Sequence, residues 1–394
     1  MAFFQMLGKS HRRRRVGLTA RARLTCMIAV PAVAVALVGC SVPAVAPAMA
    51  AVRPGTSTQQ ALSQAGRGWA LAMYAAGRDT YHSRVTLYLT SAAGAVHAVR
   101  TWPHGTQWQL QAWSPDRSRA IFTTEPATGD GPTVVHQFAL ASGATTTFAL
   151  PQFSRVIGYT LPTGRSVLVA DQSGIYTYSL TGARLARLSS WSGAGYSSGG
   201  AVMSRTGQEI VVSTASGLAL VSPAGRVLRT LPVPHTKGSC LPERWSSAGV
   251  VLAACIPSLP SSGPRVFRVP VDGAAPVAET PVGSFTSGDF GDVDAWTIGA
   301  STYVQAEQPC GAGYLGRLVA GARVVPVAVP GNPESTVVDS VVGHRLLVTE
   351  TGCGNRNRLA VLTLPGGTAR TILPYGPGTG VFEVVPYNRD GSQP

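Results

Sequence analysis

From residue 66 onward the apolar positions fall in short runs separated by Gly, Pro, Ser and Asp. "RSVLVA" (165–170), "IYTYSL" (175–180), "QEIVVS" (208–213) and "LALVS" (218–222) are typical. No segment sustains apolar residues at the 3.6-residue spacing of an amphipathic helix. Short runs rich in Val, Thr and aromatic residues, bounded by turn formers, predict an all-β chain.

The runs recur at a fixed offset. "EQPCG" (307–311) and "ETGCG" (350–354) stand 43 residues apart, as do "TGRSVLV" (163–169) and "TGQEIVV" (206–212). Residues 153–234 resolve into two units at that period. The first reads "RVIGYTL", "RSVLVA", "IYTYSL", "ARLARL"; the second reads "GGAVMS", "QEIVVS", "LALVS", "RVLRTL". Four strands in about 40–45 residues is the period of a β-propeller blade. One such sheet cannot bury both faces alone, and stacking sheets around an axis buries them.

Four further units open at "AWSPDRSRAIFTT" (112–124), "ERWSSAGVVLAAC" (243–255), "VDAWTIGASTYVQAE" (293–307) and "VVDSVVGHRLLVTE" (337–350). The ends hold the parts of one more. "VFEVVPYNRDG" (381–391) is a first strand with its turn. "WALAMYAAG" (69–77), "RVTLYLTSAAG" (84–94) and "VHAVRTW" (96–102) are second, third and fourth strands without a first. Pairing the two ends predicts a single seven-bladed propeller over 66–394. Six or eight blades would follow from a different placing of the unit boundaries.

"WSPDRSRAIF" (113–122) resembles the W-S-P-D-G-x-x-I-A-F motif of TolB-type propellers, and "VPYNRDG" (385–391) is a weaker echo. Over 66–394 the chain is similar to exported TolB-like propellers of actinobacteria, many of them lipoproteins. The Ala, Gly, Arg and Pro bias agrees with a high-GC actinobacterial source. Arg117 stands where the motif has Gly. Residues 41–65 are too short for the N-terminal domain of TolB, so the resemblance does not imply a Tol-system role.

The leader adds a compartment. Lys9, Arg12–Arg15, Arg21 and Arg23 precede the uncharged run "LTCMIAVPAVAVALVGC", the pattern of an export signal. The run ends in "LVGC", which resembles a bacterial lipobox, with Cys40 as the lipidated mature N-terminus. Residues 1–39 are then a signal peptide, and the protein sits at the outer face of the cell membrane. "AMA" (48–50) offers the alternative of cleavage after Ala50 and secretion. Residues 40–65 read as a tether, reaching roughly 70 Å at about 3 Å per residue if extended. The leader holds seven of the 32 Lys and Arg and none of the 18 Asp and Glu. The remainder carries 25 basic against 18 acidic residues, net +7. No basic cluster interleaved with aromatics follows residue 40, so nucleic acid is not an expected partner. A mild attraction to anionic lipid or cell-wall polymer is.

Four mature cysteines besides Cys40 suggest two disulfides in an exported protein. A hairpin closed at "SSAG" places Cys240 opposite Cys255. Cys310 and Cys353 hold equivalent positions in adjacent blades and form the second expected pair. Four free thiols are the alternative. Other candidates are weaker. Asp289, Asp292 and Asp294 in "DFGDVDAW" could hold Ca²⁺, although a solvated loop explains them as well. Glu307 and Glu350 are candidates for binding on a disc face. "GYSSG" (195–199) matches G-x-S-x-G but lacks the strand–turn–helix flanks of a nucleophile elbow. Histidines 82, 97, 104, 136, 235 and 344 fall in different units without ligand spacing. First strands such as "RVIGYTL", "GGAVMS" and "VVDSVV" offer few polar residues to the axis. The expectation is a monomeric, non-enzymatic module that binds a protein, peptide or glycan, without a cofactor or metal. The alternative is a propeller enzyme of the lactonase or lyase type with an axial metal or histidine.

Overall fold

A computed structural model describes residues 57–77, 82–104, 106–124, 131–190, 200–234, 236–257, 263–281, 290–307, 313–319, 323–331, 333–352, 356–376 and 379–387. The leader, Cys40, the lipobox, "GYSSG", Asp289, Cys310 and Cys353 lie outside them.

The short apolar runs form seven four-stranded antiparallel sheets, the blades of a propeller. Strands β1 (Trp69–Ala76), β2 (Arg84–Ser91) and β3 (Val96–Trp102) are the outer three of blade 1. Blade 2 comprises β4 (Gln109–Trp113), β5 (Arg119–Thr124), β6 (Thr133–Ala139) and β7 (Thr145–Leu150). Blade 3 comprises β8 (Arg155–Tyr159), β9 (Ser166–Asp171), β10 (Gly174–Ser179) and β11 (Arg184–Ser190). Blade 4 comprises β12 (Ala201–Met203), β13 (Ile210–Thr214), β14 (Gly217–Val221) and β15 (Val227–Leu231). Blade 5 comprises β16 (Thr236–Ser247), β17 (Val250–Pro257), β18 (Arg265–Pro270) and β19 (Val277–Ala278). Blade 6 comprises β20 (Asp292–Ile298), β21 (Ser301–Glu307), β22 (Gly313–Val319) and β23 (Arg323–Pro326). Blade 7 comprises β24 (Ser335–Val342), β25 (Arg345–Gly352), β26 (Arg356–Thr363) and β27 (Thr368–Leu373). The last strand, β28 (Thr379–Pro386), pairs antiparallel with β1 and supplies the missing first strand of blade 1. The expected closure by the two chain ends is therefore present.

Each blade buries its faces against its neighbours, and the core is seven apolar clusters, one per blade junction. Val202, Val211, Leu218, Trp245, Val251 and Phe267 fill the junction of blades 4 and 5. Among the described residues, Leu252, Val266, Ala295, Val304 and Ala306 are the buried members at the junction of blades 5 and 6. Cys240 and Cys255 are opposed in the β16–β17 ladder and joined by a disulfide.

Within the segment read as a tether, Thr58–Gln64 form a helix, α1, capped by Ser57. Its Leu62 and Ala61, with Ala65, pack into the cluster between blades 1 and 2. Arg117 explains what holds it there. The turn after the first strand needs a left-handed residue, and blades 3 and 4 use Gly164 (φ +64°) and Gly207 (φ +74°). Blade 2 puts Arg117 there at φ +64°, at a cost of roughly 1–2 kcal/mol for a residue with a Cβ. In return its guanidinium donates to the carbonyls of Ser63 (3.1 Å) and Ala65 (2.6 Å), at the end of α1. The departure from the motif is the residue that docks the helix.

Arg117→Gly should relieve the turn and release α1. Amide exchange across residues 58–64 should quicken about tenfold, the loss of a charge-assisted bond, while the ring melts within about 2 °C of the parent. Removal of β28 should be far more damaging, because it bares the edge of β1 and the faces beside it. A chain ending at Pro374 is expected to be insoluble or rapidly cleaved by thermolysin. Melting like the full chain would show that the ring closes without β28.

Candidate functional site

The first strand of each blade lines the central channel of a propeller. In six of the seven, the ladder to the second strand has a bulge near its middle, and in blade 5 it has two further shifts toward the strand ends. The residues at the mid-strand bulges are Gln111, Ile157, Glu243, Val293, Asp339 and Phe382. Such bulges twist a strand and re-aim its side chains. Ionisable groups of blades 5, 6, 7 and 1 stand at or next to these bulges on the first strands. Glu243 and Asp339 occupy the bulge itself, while Arg244, Asp294 and Glu383 come directly after it.

The groups are enclosed by protein on nearly every side, yet Glu243, Asp339 and Glu383 keep partial access to water. Groups lining a narrow channel have that combination. Enclosure raises all four carboxyls, because removal of water disfavours the charged form. Glu243 is pushed up to about 8 by burial and by the Asp294 charge, against the pull of Arg155 and Arg244. Asp339 rises to about 7 by burial, although Thr349 donates to it at 2.7 Å. Burial lifts Glu383 to about 8, even with the backbone N–H of Leu110 donating to it from blade 2. Asp294 reaches about 6, burial outweighing its ion pair with Arg244 at 3.2 Å. Arg155, at the start of β8, interacts with Glu243 from two blades away, and burial lowers its own pKa. Four consecutive blades thus each carry a raised carboxyl on the first strand, and those of blades 5 and 6 interact with each other and with Arg244.

The sequence-derived candidates are placed elsewhere or in other roles. Glu350 is 1% exposed and lies directly opposite Arg358 across the β25–β26 ladder, ion-paired with it. Glu307 ends β21, half-buried, where burial raises its pKa. Asp292 and Asp294 are buried on either side of the bulged Val293. Asp294 is committed to Arg244. Among the described residues no three His, Cys, Asp or Glu side chains are grouped to hold a metal ion. The expectation of few polar residues on first strands is corrected by Glu243, Asp294, Asp339 and Glu383. Each is a single carboxylate without a motif. The only signal in the sequence was an acid in the first strand of four successive units.

No family model matches the sequence, and no curated protein matches it. Among solved structures, the chain is similar to the β-propeller domain of Cps50 (Swd1) from Myceliophteria thermophila. The identity is 13% and the TM-score 0.50, over 76% of this chain and 99% of that one. It is also similar to a prolyl endopeptidase, at 13% identity and a TM-score of 0.51, over 84% of this chain and 54% of that one. TolB from Acinetobacter baumannii aligns at 14% identity and a TM-score of 0.44, over 81% of this chain and 66% of TolB. This chain therefore spans about half the length of the endopeptidase and just under two-thirds of TolB. At such identities the likeness to the Cps50 domain and the endopeptidase shows a shared fold, the β-propeller, and not a shared activity.

The raised carboxyls fix the sign of a pH dependence. Each binds its proton more tightly folded than unfolded. Their stabilising contribution is whole below about pH 4, the unfolded value, and is lost as pH climbs through 6 to 8. Calorimetry at constant ionic strength should show Tm falling by several degrees from about pH 5.5 to about pH 8.5. The Asp339→Asn, Glu383→Gln double variant should flatten that slope.

Proposed function

We propose that this chain is a non-enzymatic binding module of the cell envelope, whose ligand presents a cationic group to the propeller axis. It is exported and held at the outer face of the membrane by acyl chains on Cys40. Two acyl chains give firm anchoring, at about 0.8 kcal/mol per buried CH₂. The ligand is a protein, a peptide or an amine-bearing glycan. The raised carboxyls Glu243, Asp294, Asp339 and Glu383, one on the first strand of each of four consecutive blades, support this. Carboxylates enclosed in low dielectric attract a cation more strongly than carboxylates in water. A ligand amine or guanidinium would also restore the ionised state that burial opposes. The first strands carry no histidine, and their one cysteine, Cys240, is in a disulfide. That composition suits recognition better than lactonase or lyase chemistry.

Tetralysine is a direct probe of the full chain by titration calorimetry. Affinity should rise from about pH 6 to about pH 8, as Glu243, Asp339 and Glu383 lose their protons. Glu243→Gln with Asp339→Asn should weaken it at least about tenfold. Equal affinity in the double variant, or no binding at pH 8, would remove the axial site. Cleavage of the peptide would replace binding with catalysis.

A further inference from the structure

The outermost strands of blades 3, 4 and 5 differ from those of the other four blades. Leu185 on β11 is 59% exposed, Val227 and Leu228 on β15 are 59% and 40% exposed, and Val277 on β19 is 60% exposed. The outermost strands of blades 1, 2, 6 and 7 expose Thr, Ala, Arg and Pro instead. A single exposed apolar side chain is ordinary, but four on three adjacent outer strands concentrate apolar exposure on one sector of the rim.

Arginines flank the apolar tips. Arg184, Arg187, Arg226 and Arg229 are exposed on or beside the same strands. The acids nearby are Asp171, buried and 4.0 Å from Arg184, Asp272, exposed in the turn before β19, and Glu279, which is paired with Arg268 at 2.7 Å. The three strands are continuous in space. The Arg187 carbonyl lies against Gly225 in the turn leading to β15, and the Arg229 guanidinium lies against Gly273 in the turn leading to β19. The result is a convex arc, basic overall, studded with separate aliphatic side chains.

The local backbone argues against one occupant. Leu185 and Leu228 are both bulged residues, left without a partner in the β10–β11 and β14–β15 ladders. Bulges twist an edge away from strand addition. They also push these leucines outward. A rigid partner would need a pocket for each tip, whereas a fluid interface accommodates separate tips on a convex surface.

We propose that the rim of blades 3 to 5 is a membrane-docking surface. Leu185, Val227, Leu228 and Val277 enter the headgroup–acyl boundary of an anionic bilayer, and Arg187, Arg226 and Arg229 contact lipid phosphates. Arginines near an anionic surface each add to binding, and the effect fades within a Debye length. The docking lays the axis of the ring along the bilayer plane and leaves both channel mouths open to solvent. It is independent of the axial site and of Cys40.

The experiment uses the full chain with Cys40→Ala, so that acyl chains contribute nothing, and adds Leu185→Trp as a reporter. The probes are vesicles of phosphatidylcholine alone, and of phosphatidylcholine with about 30% phosphatidylglycerol, with brominated acyl chains. With the anionic vesicles the fluorescence added by the reporter indole should shift to the blue and be quenched by at least half. Arg187→Glu with Arg229→Glu, or about 0.5 M salt, should weaken binding at least about tenfold. In a parallel chain, the indole of Val337→Trp, exposed on β24 away from the rim, should remain unquenched. An unquenched reporter at position 185 on vesicle-bound protein overturns the docking surface, as does equal binding to neutral vesicles. A lipid-independent dimer that shields the reporter would assign the rim to a second copy of the chain instead.

Discussion

The pairing of β28 with β1 is the contact on which the rest of the ring depends. Blades 2 to 7 are each made from consecutive chain, so every hairpin within them is local. Blade 1 takes its inner strand from the far end of the chain, through the ladder from Ala70–Pro386 to Ala76–Thr379. The same strand reaches blade 2. Glu383 accepts from the Leu110 N–H, the Tyr387 hydroxyl donates to the Pro115 carbonyl at 2.7 Å, and the Tyr387 ring sits 5.0 Å from Trp113. One segment therefore closes the sheet and ties it to the next. Without it two apolar faces would be open to water, and the ring would have ends.

Apolar burial between blades has no direction, and directed polar bonds set how neighbouring blades are aligned. Ser189 donates to the Ser213 carbonyl across blades 3 and 4, at 2.7 Å, and Ser213 to the Cys240 carbonyl across blades 4 and 5, at 2.8 Å. Gln305 bridges blades 6 and 7, donating to Thr336 and accepting from Val338 at 2.9 Å each. Arg370 joins blade 7 to blade 1 through the Ala93 carbonyl at 2.6 Å. The Arg244–Asp294 pair spans blades 5 and 6. A buried pair adds little net stability, but loss of one partner costs about 3–5 kcal/mol. Its value there is alignment, and it fixes the position of two charges on the axis.

The axial carboxylates follow from the same geometry. A first strand in an isolated hairpin would hold its acid in water. In the ring the first strands lie inside the packed blades, and Glu243, Asp294, Asp339 and Glu383, at or next to bulges, are enclosed by protein. Burial then sets their proton affinity near neutrality. A surface loop with the same four residues would be a solvated patch of ordinary acids.

What the chain determined alone was the local and the periodic. The 43-residue offset, the turn residues and the short β-branched runs specify strands and blades, because hairpin pairing depends on neighbours in sequence. The orphan strand at 381–387 even specified how the ring closes, since a first strand and three later ones were the only incomplete parts. The opposition of Cys240 and Cys255 was legible for the same reason, lying within one hairpin. The helix at Thr58–Gln64 was not. Seven residues are too few to hold a helix by propensity, and it exists because Leu62 finds a cluster and Arg117 finds its last carbonyls. Glu350, read as a candidate for binding on a disc face, lies opposite Arg358 in the ladder and pairs with it. The axial sector was hidden more deeply still. Its members are spread from residue 243 to 383 without a motif, and only the packing of the blades encloses them.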